Sequence, residues 1–313
     1  MLQNKDILIT GGAGFIGSNL ANELVDDNSV TVVDNGYLGI EENLRDEVDF
    51  RDQSVLASGL PTDVDLVFHL AALSSYVTNE NNLSKGVRVN VEGFVNVVEQ
   101  ALEDGCETVV YTSTASLYDS RAESDSDQQP ITIATGYEAS KRTREQYAEY
   151  FATHYDLNVA GVRLLSAYQS YDHSSAHEKT YANILAQFVD DVAHGRSPAL
   201  YGDGSQTRDF THVTDVVDGL IAVAEHQLTG VYDLGTGRAV SFNELVEMIT
   251  ELLDADIQPE YIQSPAPDEV HINDIVTDHQ KIRDATGWEP EINLEQKLEQ
   301  MSSQYEIQTQ RET

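Results

Sequence analysis

The stretch Lys5–Gly17, which reads KDILITGGAGFIG, decides the fold of this chain. A short apolar run, Ile7–Ile9, ends in glycines, and an apolar-patterned segment follows at once. The glycines fit both G-x-G-x-x-G and G-x-x-G-x-x-G, and they are Gly11, Gly12, Gly14 and Gly17. Glycines at this spacing permit a tight turn, a close approach of backbone to a pyrophosphate, and close packing of a helix on a strand. The stretch therefore predicts a strand, a turn and a helix whose N-terminal N–H groups face the phosphates of a dinucleotide.

An acidic residue follows the second predicted strand. Asp34 ends the apolar run Ser29–Val33, about 20 residues after the glycines, where a carboxylate accepts from a ribose 2′-hydroxyl. The same charge would repel a 2′-phosphate, so NAD is favoured over NADP. An aspartate at a strand end can also cap the next turn, which is the structural alternative. Asp52, after a short third strand, is placed to accept from the adenine amino group, with Asp49 as the competing candidate.

Strand patterns alternate with helix patterns over the first half of the chain. Buried strands are predicted at Ser29–Val33, Val48–Arg51, Asp65–Leu70, Thr108–Ser113 and Asn158–Leu165. Helices are predicted at Phe15–Val25, Lys85–Glu103 and Tyr137–Tyr155. This alternation predicts right-handed βαβ units and an α/β fold, a doubly wound parallel (Rossmann) sheet with helices on both faces.

The pattern becomes shorter and more irregular from Ser166 onward, which predicts a smaller mixed α/β C-terminal substrate domain. We expect residues 1–165 to form the NAD-binding domain, with residues 201–235 returning to it. Residues 166–200 and 236–313 are then the substrate-binding domain.

Tyr137 and Lys141 lie one helical turn apart, at i and i+4, and so share one helix face. A tyrosine near its usual pKa of about 10 is a poor base at neutral pH. An ammonium close by stabilises the phenolate and lowers the pKa of the tyrosine. Lys141 can also hydrogen-bond a nicotinamide ribose. The same spacing occurs by chance on many helices, but the glycines upstream favour a catalytic pair.

The histidines are weaker candidates. His69 lies within an apolar strand, where a histidine is more often a core residue than a catalyst. His173 and His177 are four residues apart, but no carboxylate pattern flanks them beyond Glu178, and the spacing means little in a loop. We therefore predict no metal site.

Charge is the most unusual property of the composition. The chain has 54 Asp and Glu against 18 Lys and Arg, a formal net charge of −36 at pH 7. Such a chain will not bind nucleic acid or an anionic membrane surface by bulk electrostatics. No apolar run approaches the roughly 18 residues that suggest a membrane span. The single cysteine, Cys106, fits a reducing compartment, and the N-terminus leaves no room for a signal peptide, so we expect a cytoplasmic protein.

Five motifs together carry a resemblance to a known family. They are TGGAGFIG, Asp34, HLAA at His69–Ala72, YTSTASLY at Tyr111–Tyr118, and YEASK at Tyr137–Lys141. With them the chain resembles the extended short-chain dehydrogenase/reductase family, in its branch of nucleotide-sugar epimerases and dehydratases. The similarity covers nearly the whole chain, since it continues through Gly202–Val216, Tyr232–Gly237 and Thr286–Pro290.

The resemblance implies a site built on NAD. Tyr137 would take the proton of a sugar hydroxyl while hydride passes from the same carbon to NAD⁺, and the keto sugar would rotate and take the hydride back. Thr114 would hydrogen-bond the reacting oxygen, and Lys141 would tune Tyr137 and hold the ribose. Further residues expected at the cofactor are Phe15, Ile16, Asn35, Asp52, Leu70, Ala71, Ala72 and Asn90. Those expected at the substrate, most often a UDP-sugar, are Ser74, Thr114, Ser166 and the diphosphate-binding Arg208.

Residue identity within these motifs favours simple 4-epimerisation, as between UDP-glucose and UDP-galactose. Family dehydratases follow the hydroxyl residue with Asp and Glu, and decarboxylating relatives keep the Glu, whereas here Thr114 precedes Ala115 and Ser116. A sugar dehydrogenase or reductase with net turnover of cofactor, and a non-catalytic NAD-sensing protein, are the alternatives. Two departures concern the substrate: Ser166 stands where the family has Asn, and Ala266 where it has a second diphosphate-binding Arg.

The resemblance also implies a homodimer. In the family the helices corresponding to Lys85–Glu103 and Tyr137–Tyr155 pair as a four-helix bundle. Tyr147, Tyr150 and Phe151 would supply an apolar stripe there, unless they face their own core.

The acidic composition predicts a surface adapted to high salt, as in an organism that accumulates salt. At molar ionic strength the Debye length is about 3 Å and self-repulsion is largely screened, whereas at low salt the same charge destabilises the compact state. We expect the melting temperature to rise steadily with KCl concentration. A thermal melting series across KCl tests this, and undiminished stability at low salt would contradict it.

Overall fold

The structure, a computed structural model, describes residues 2–74, 79, 82–118, 131, 133–169, 184–263 and 274–311, with side chains up to residue 303. Several sequence-based expectations concern positions outside these residues, namely the acidic segment 120–130, His173, His177 and Ala266. They stay predictions.

Within the described chain, seven parallel strands form the main sheet, in the order β3-β2-β1-β4-β5-β6-β9. The strands are β1 (Asp6–Thr10), β2 (Ser29–Asp34), β3 (Asp49–Asp52), β4 (Leu66–His69), β5 (Thr108–Thr114), β6 (Asn158–Leu164) and β9 (Gly230–Leu234). The strand order reverses between β1 and β4, and ligands of such sheets bind outside the carboxyl ends of the strands at this switch point. The predicted α/β class and parallel sheet are confirmed.

Helices cover both faces of the sheet. In chain order they are α1 (Phe15–Leu24), α2 (Leu83–Val87), α3 (Gly93–Glu103), α4 (Gly136–His154), α5 (Ile184–Ala193), α6 (Val213–Glu225), α7 (Phe242–Leu252), α8 (Gln280–Thr286) and α9 (Leu294–Arg311). None of these described helices is both long and apolar enough to span a membrane.

The two faces of the sheet bury alternate residues of β1, because successive side chains of a strand point to opposite sides. Ile9 belongs to one core with Leu20 of α1 and Leu220 of α6. Leu8 belongs to the opposite core, together with Phe151 of α4. Because Phe151 is only 3% exposed there, it does not contribute to the exposed stripe that the sequence suggested for this helix.

One predicted helix differs from its expected geometry. The segment predicted as a single helix from Lys85 begins at Leu83 and contains a π-helical turn, Arg88–Glu92, between α2 and α3. A π turn accommodates an extra residue, so its backbone carbonyls leave the regular hydrogen-bond ladder. The turn brings Asn90 against α4, where both its side chain and its carbonyl find partners.

The strand ends also shift slightly from their predicted positions. β5 runs on to Thr114, and β3 runs on to Asp52, so both predicted site residues end a strand. β4 stops at His69, and Leu70 belongs to the following loop, whose backbone packs closely against Gly11 of the glycine turn. These shifts place the predicted site residues at the carboxyl edge of the sheet.

The C-terminal segments build a second, smaller apolar core. Two short sheets lie beside it, one antiparallel from β8 (Thr207–Arg208) and β10 (Val240–Ser241), one parallel from β7 (Ala199–Tyr201) and β11 (Glu260–Ile262). Side chains of this core come from α5, α7 and α9, among others, and they include Leu185, Phe188, Leu245, Ile249, Leu294 and Leu298.

Two later pieces of the chain pack on the main sheet. β9 extends the sheet by pairing with β6. Ile282 of α8 and Trp288 lie in the core beneath β9, although they fall within the segment 236–313. The division into two domains at residues 165, 200 and 235 stays a prediction.

The contact of α1 with the glycine turn is tightest at Gly17. A Cβ there would lie 2.4 Å from the carbonyl oxygen of Gly11 and 2.6 Å from the Cα of Gly12, both rigid backbone atoms. At Gly14 the nearest atom, the same Gly11 oxygen, would be 3.2 Å away. We expect Gly17→Ala to destabilise the fold by about 1–3 kcal/mol through overpacking, and Gly14→Ala to destabilise it less. Thermal melts compare the two variants, and equal melting temperatures would contradict this packing.

Candidate active site

The glycine turn has the shape of a phosphate cradle. Gly11 has a φ of +71°, a backbone conformation that favours glycine. A Cβ on it would also lie only 2.5 Å from the backbone nitrogen of Ala71, so a larger residue would clash there. The helix α1 begins directly afterwards with Gly14 as its N-cap, and no side chain caps it. A helix N-terminus of this kind presents free N–H groups and a positive dipole end, which suit a diphosphate.

Asp34 lies at the end of β2, beside the glycine turn. Its carboxylate accepts from the backbone N–H of Ala13 at 3.2 Å and of Gly36 at 3.0 Å. Burial raises the pKa of Asp34, while these N–H groups oppose the rise. Asp52 ends the neighbouring strand in register with Asp34 and is exposed, and Asn35 follows on the same edge. This arrangement is compatible with the ribose and adenine of a dinucleotide, and the bond from Gly36 also caps the turn after β2, so the contacts of Asp34 agree with both interpretations.

Asn90 fixes the loop that follows β4. Its side-chain oxygen accepts from Leu73 N–H at 2.8 Å, and its amide donates to the Leu73 carbonyl at 3.1 Å and to Ser140 Oγ at 2.8 Å. Asn90 is fully buried, and these bonds use both amide protons. The residue therefore shapes the cofactor-side loop, with Leu70, Ala71 and Ala72 in it, rather than offering a free amide donor.

Arg144 is a buried cation that the sequence analysis did not single out. Its guanidinium donates to three backbone carbonyls, those of Asn90 at 2.9 Å, Ala71 at 3.1 Å and Thr112 at 3.3 Å. The Asn90 carbonyl belongs to the π turn. Arg144 is 0% exposed, and burial lowers its pKa to about 10, so it stays charged at neutral pH.

Lys141 lies next to Arg144 and shares an acceptor with it. Its Nζ donates to the Thr112 carbonyl at 3.0 Å, and the side chain is 2% exposed. Burial, and then the charge of Arg144, hold the pKa of Lys141 well below its usual value. The ammonium lies 5.7 Å from the centre of the Tyr137 ring, so the two predicted residues do share one site.

Tyr137 is surrounded by groups that change its pKa in opposite directions. Burial raises the pKa of Tyr137, while a hydrogen bond with Thr114 and the charge of Arg144 lower it. Lys141 directs its ammonium, 5.7 Å from the centre of the Tyr137 ring, to the Thr112 carbonyl, and its effect on the Tyr137 pKa stays a prediction. The sequence identified Lys141 as the cation near Tyr137. The structure adds Arg144, whose charge lowers the pKa of Tyr137.

A group of hydroxyls lies at the end of β5, next to Tyr137. Thr114 Oγ1 and Ser116 Oγ are 2.9 Å apart, and the Ser116 N–H donates to Thr114 Oγ1 at 3.2 Å. Burial raises the pKa of the Glu138 carboxyl, and the N–H groups of Ala134 and Thr135, followed by the Thr135 and Ser116 side chains, oppose the rise. Thr114 is therefore placed where the sequence predicted it, within reach of Tyr137.

Glu138 is a second residue that the sequence analysis missed. Its carboxylate accepts from the N–H groups of Ala134 at 2.8 Å and Thr135 at 3.1 Å, while the Thr135 side chain accepts from Glu138 N–H. This is a capping box at the start of α4, and Thr-x-x-Glu before a helix is its sequence signal. The signal was present, but nothing in the sequence connected the glutamate with Ser116.

The residues predicted for the substrate lie on three different segments. Ser74 is exposed in the loop after β4, and Ser166 follows β6 with a φ of +44°, a left-handed conformation that serine rarely adopts. Arg208 lies on β8, largely buried, with its guanidinium 5.6 Å from the Phe242 ring and a bond to the Thr207 carbonyl at 2.7 Å. Burial lowers the pKa of Arg208. Ser74 and Ser166 thus follow the carboxyl ends of β4 and β6, on either side of β5, which ends at Thr114.

His69 is a core residue, as predicted. Its Nδ1 is 2.9 Å from Thr10 Oγ1, its ring packs edge-on against Phe94, and it is fully buried. Burial holds its pKa well below the usual value, so the imidazole is neutral. Among the described residues, no three His, Cys, Asp or Glu side chains are grouped as a metal site.

A buried ion-pair network supports the end of β5 from below. Glu145 of α4 accepts from Ser113 at 2.6 Å and from Arg163 at 2.8 Å through both carboxylate oxygens. Tyr118 donates to Asp233 of β9 at 2.7 Å, and burial raises the pKa of Asp233 to about 6. These bonds tie α4, β6 and β9 to the strand that carries Thr114.

Known proteins resemble this chain over most of its length. The chain matches the NAD dependent epimerase/dehydratase family over residues 7–235. It is 30% identical to UDP-glucuronic acid decarboxylase 1 of Arabidopsis thaliana, over 96% of this chain and 69% of that protein. It is also 30% identical to UDP-glucose 4-epimerase of Mycolicibacterium smegmatis, over 92% of this chain and 94% of that one.

The fold has a solved counterpart as well. The crystal structure of UDP-glucose 4-epimerase with UDP-glucose from Thermotoga maritima superimposes with a TM-score of 0.87 at 28% identity, over 97% of this chain and 99% of that one. The match to the family extends over most of the chain and includes the glycine turn, Asp34, Thr114, Tyr137 and Lys141. The chain therefore belongs to the NAD dependent epimerase/dehydratase family.

Proposed function

We propose that this protein is an NAD-dependent nucleotide-sugar 4-epimerase, with chemistry like that between UDP-glucose and UDP-galactose. The observation that carries the proposal is the pair of hydroxyls formed by Tyr137, at the start of α4, and Thr114, at the carboxyl end of β5. No carboxylate stands at the two positions after Thr114, which are Ala115 and Ser116. A reversible oxidation and reduction at one carbon needs a proton acceptor and a hydride carrier, and no further acid or base for elimination.

NAD is the cofactor, and the residues of the cradle fit it. When bound, NAD⁺ accepts a hydride and NADH returns it. The glycine turn and the N-terminus of α1 would hold the diphosphate, and Asp34 would accept from the ribose hydroxyls. The negative charge of Asp34 is unfavourable for a 2′-phosphate, which supports NAD over NADP.

The roles of the remaining residues follow from their contacts. Tyr137 would accept the proton of the sugar hydroxyl, and Thr114 would hydrogen-bond the same oxygen. Lys141, whose ammonium lies below the Tyr137 ring, would hold the nicotinamide ribose. Arg144 would add a fixed positive charge that favours the phenolate of Tyr137.

We propose a UDP-sugar as the substrate, bound between the sheet edge and the segments 166–200 and 236–313. Arg208 would bind the diphosphate, since its guanidinium is largely buried and charge-assisted bonds are strong in such surroundings. Ser74 and Ser166 would contact the sugar. The strained backbone of Ser166 supports this role, because such conformations concentrate at functional sites.

A second candidate is decarboxylation of a UDP-sugar acid, as in the Arabidopsis relative. The observation that favours it is the buried carboxylate of Glu138, whose pKa is affected by the Ser116 side chain. Ser116 itself stands where decarboxylating relatives have a glutamate. A sugar dehydrogenase with net turnover of cofactor is the third possibility.

Product analysis together with NADH absorbance separates these activities. With UDP-glucose or UDP-galactose we expect interconversion without accumulation of NADH absorbance at 340 nm. We expect Tyr137→Phe to lower kcat by at least about 10²-fold, because it removes the proton acceptor, with little change in melting temperature. Steady NADH formation would indicate a dehydrogenase, and release of CO₂ from UDP-glucuronic acid would indicate a decarboxylase. Undiminished turnover by Tyr137→Phe would refute the assignment of Tyr137 as the base.

We also propose that the protein is a cytoplasmic homodimer, joined through α2 and α4. Leu83 and Val87 are exposed on one face of α2, and Tyr147 and Tyr150 are exposed on α4. Exposed apolar side chains on neighbouring helices are typical of an interface between subunits.

Sedimentation at molar KCl tests the dimer, since high salt screens repulsion between two acidic copies. We expect a dimer for the wild type and a monomer for the double variant Tyr147→Glu, Tyr150→Glu. Tyr261→Glu is the control, because Tyr261 is equally exposed but lies on β11, away from α2 and α4. A monomeric wild type, or a dimeric double variant, would contradict the proposed interface.

A further inference from the structure

A cation–π contact joins two segments that follow different strands of the main sheet. The ammonium of Lys85 lies 3.5 Å from the centre of the Tyr37 ring. Tyr37 belongs to the loop after β2, and Lys85 belongs to α2, in the segment that follows β4. The attraction between them is electrostatic, because the face of an aromatic ring is negative.

The order of the strands places this contact across the crevice of the sheet. β1 lies between β2 and β4 and pairs with both of them. Neighbouring strands are about 4.8 Å apart, so the segments that follow β2 and β4 are separated by the end of β1 and by the glycine turn after it. A contact between these segments therefore spans the crevice at the switch point, where sheets of this kind receive their ligands.

The loop that carries Tyr37 is fixed to one wall of the cradle. The Ile40 N–H donates to the Ala13 carbonyl in the glycine turn at 2.9 Å. A Cβ on Gly39 would lie 2.8 Å from the Cβ of Ala13, so the loop packs directly on the turn. The Asn35 side chain accepts from the Tyr37 N–H at 3.2 Å. The backbone of Tyr37 is thus held beside the glycine turn.

The segment that carries Lys85 is fixed to the opposite wall. The Leu73 carbonyl, in the loop after β4, accepts from the Asn79 side chain at 2.7 Å. α2 packs on the same side chain, since a Cβ on Gly86 would clash with the Asn79 amide oxygen. The Asn82 side chain caps α2 by accepting from the Lys85 N–H at 3.0 Å.

Together these contacts close a ring. It runs from the glycine turn through the loop after β2 to Tyr37, across to Lys85 and α2, and back through the loop after β4, where Ala71 packs on Gly11. The other links are backbone packing or hydrogen bonds to backbone groups. Tyr37 and Lys85 meet through their side chains alone, and Tyr37 is 49% exposed. Their contact is therefore the link of the ring that opens most easily.

We propose that Tyr37 and Lys85 form a strap across the cofactor site. Bound NAD lies inside the ring, and it enters and leaves when the Tyr37–Lys85 contact opens. The inference rests on the binding of NAD, the cofactor of this family, and not on the reaction that the sugar undergoes.

The strap has a consequence for the proposed function. An enzyme that returns the hydride to the same sugar must keep NADH in its site between the two half-reactions. Release of NADH at that point would leave the keto sugar without its reductant. A ring that opens slowly favours return of the hydride over loss of the cofactor.

The release rate of NADH from the full-length protein tests the strap. NADH fluorescence differs between bound and free cofactor, and excess NAD⁺ in a stopped-flow experiment prevents rebinding. We expect Lys85→Gln and Tyr37→Leu each to raise the release rate by roughly 2- to 10-fold, the range that an exposed cation–π contact supplies. Lys85→Arg and Tyr37→Phe should stay close to the wild type, because they keep a cation and a ring.

Lys281→Gln is the matched control. The Lys281 ammonium lies 4.9 Å from the centre of the Tyr232 ring, on β9, which is four places from β1 in the sheet. The substitution removes the same charge and the same kind of contact, but far from the cradle. We expect it to leave the release rate unchanged. Molar KCl adds a second control, since a Debye length of about 3 Å screens general effects of charge on NADH.

A double variant separates a strap from a direct ligand of NAD. If the two residues act through their contact, Tyr37→Leu with Lys85→Gln releases NADH no faster than either single variant. Entry then accelerates together with release, so Kd changes less than the rates. If Lys85 instead bound the diphosphate by itself, Lys85→Gln would weaken Kd without faster entry, and its effect would add to that of Tyr37→Leu.

That additive result would overturn the strap, and so would unchanged release rates in the two single variants. The measurements need no sugar. An inactive wild type whose variants show the expected release rates would therefore refute only the proposed function.

Discussion

The buried guanidinium of Arg144 is the interaction on which the site depends. Its three acceptors come from three separate segments: the loop after β4, the π turn before α3, and β5. A planar group with five donors in a fixed fork can bond to all three, which a lysine could not do. Loss of this side chain would be costly, because the Asn90 and Ala71 carbonyls would each lose a bond in the interior, while the Thr112 carbonyl would keep its bond from Lys141. The loop, the helix and the strand around the nicotinamide position are therefore fixed relative to one another by one side chain.

The start of α4 combines a structural and a chemical task. Thr135 and Glu138 satisfy the helix N-terminus as a capping box, and the Ser116 side chain, just after β5, affects the pKa of the same glutamate. Tyr137 lies between the two capping residues, so the geometry of the cap also fixes the position of the proposed base. Because the cap, the hydroxyls and the tyrosine share contacts, we expect substitutions among them to be strongly non-additive.

The sequence was sufficient for the fold and for part of the site. The glycine turn, Asp34 and the alternating pattern predicted the parallel sheet, because backbone approach and strand burial leave local signals. The pair Tyr137 and Lys141 was also visible in the spacing of one helix. Arg144, by contrast, reads as an ordinary charged residue on a helix, and only its burial against a π turn makes it unusual. The effect of Ser116 on the pKa of Glu138 joins two elements, and such pairings are not encoded in any local pattern.

The pairing of β9 with β6 has a consequence for folding. The chain leaves the main sheet after Leu164, builds α5 and the small β7 strand, packs α6 on one face of the sheet, and adds the next strand only at Gly230. The edge strand of the sheet, and the Tyr118–Asp233 bond with it, must therefore form after a long loop has closed. Loop closure over such separations slows folding, since its entropy is lost before the contacts form. Cutting the chain near residue 165 would leave β6 as an exposed sheet edge, a surface that favours aggregation.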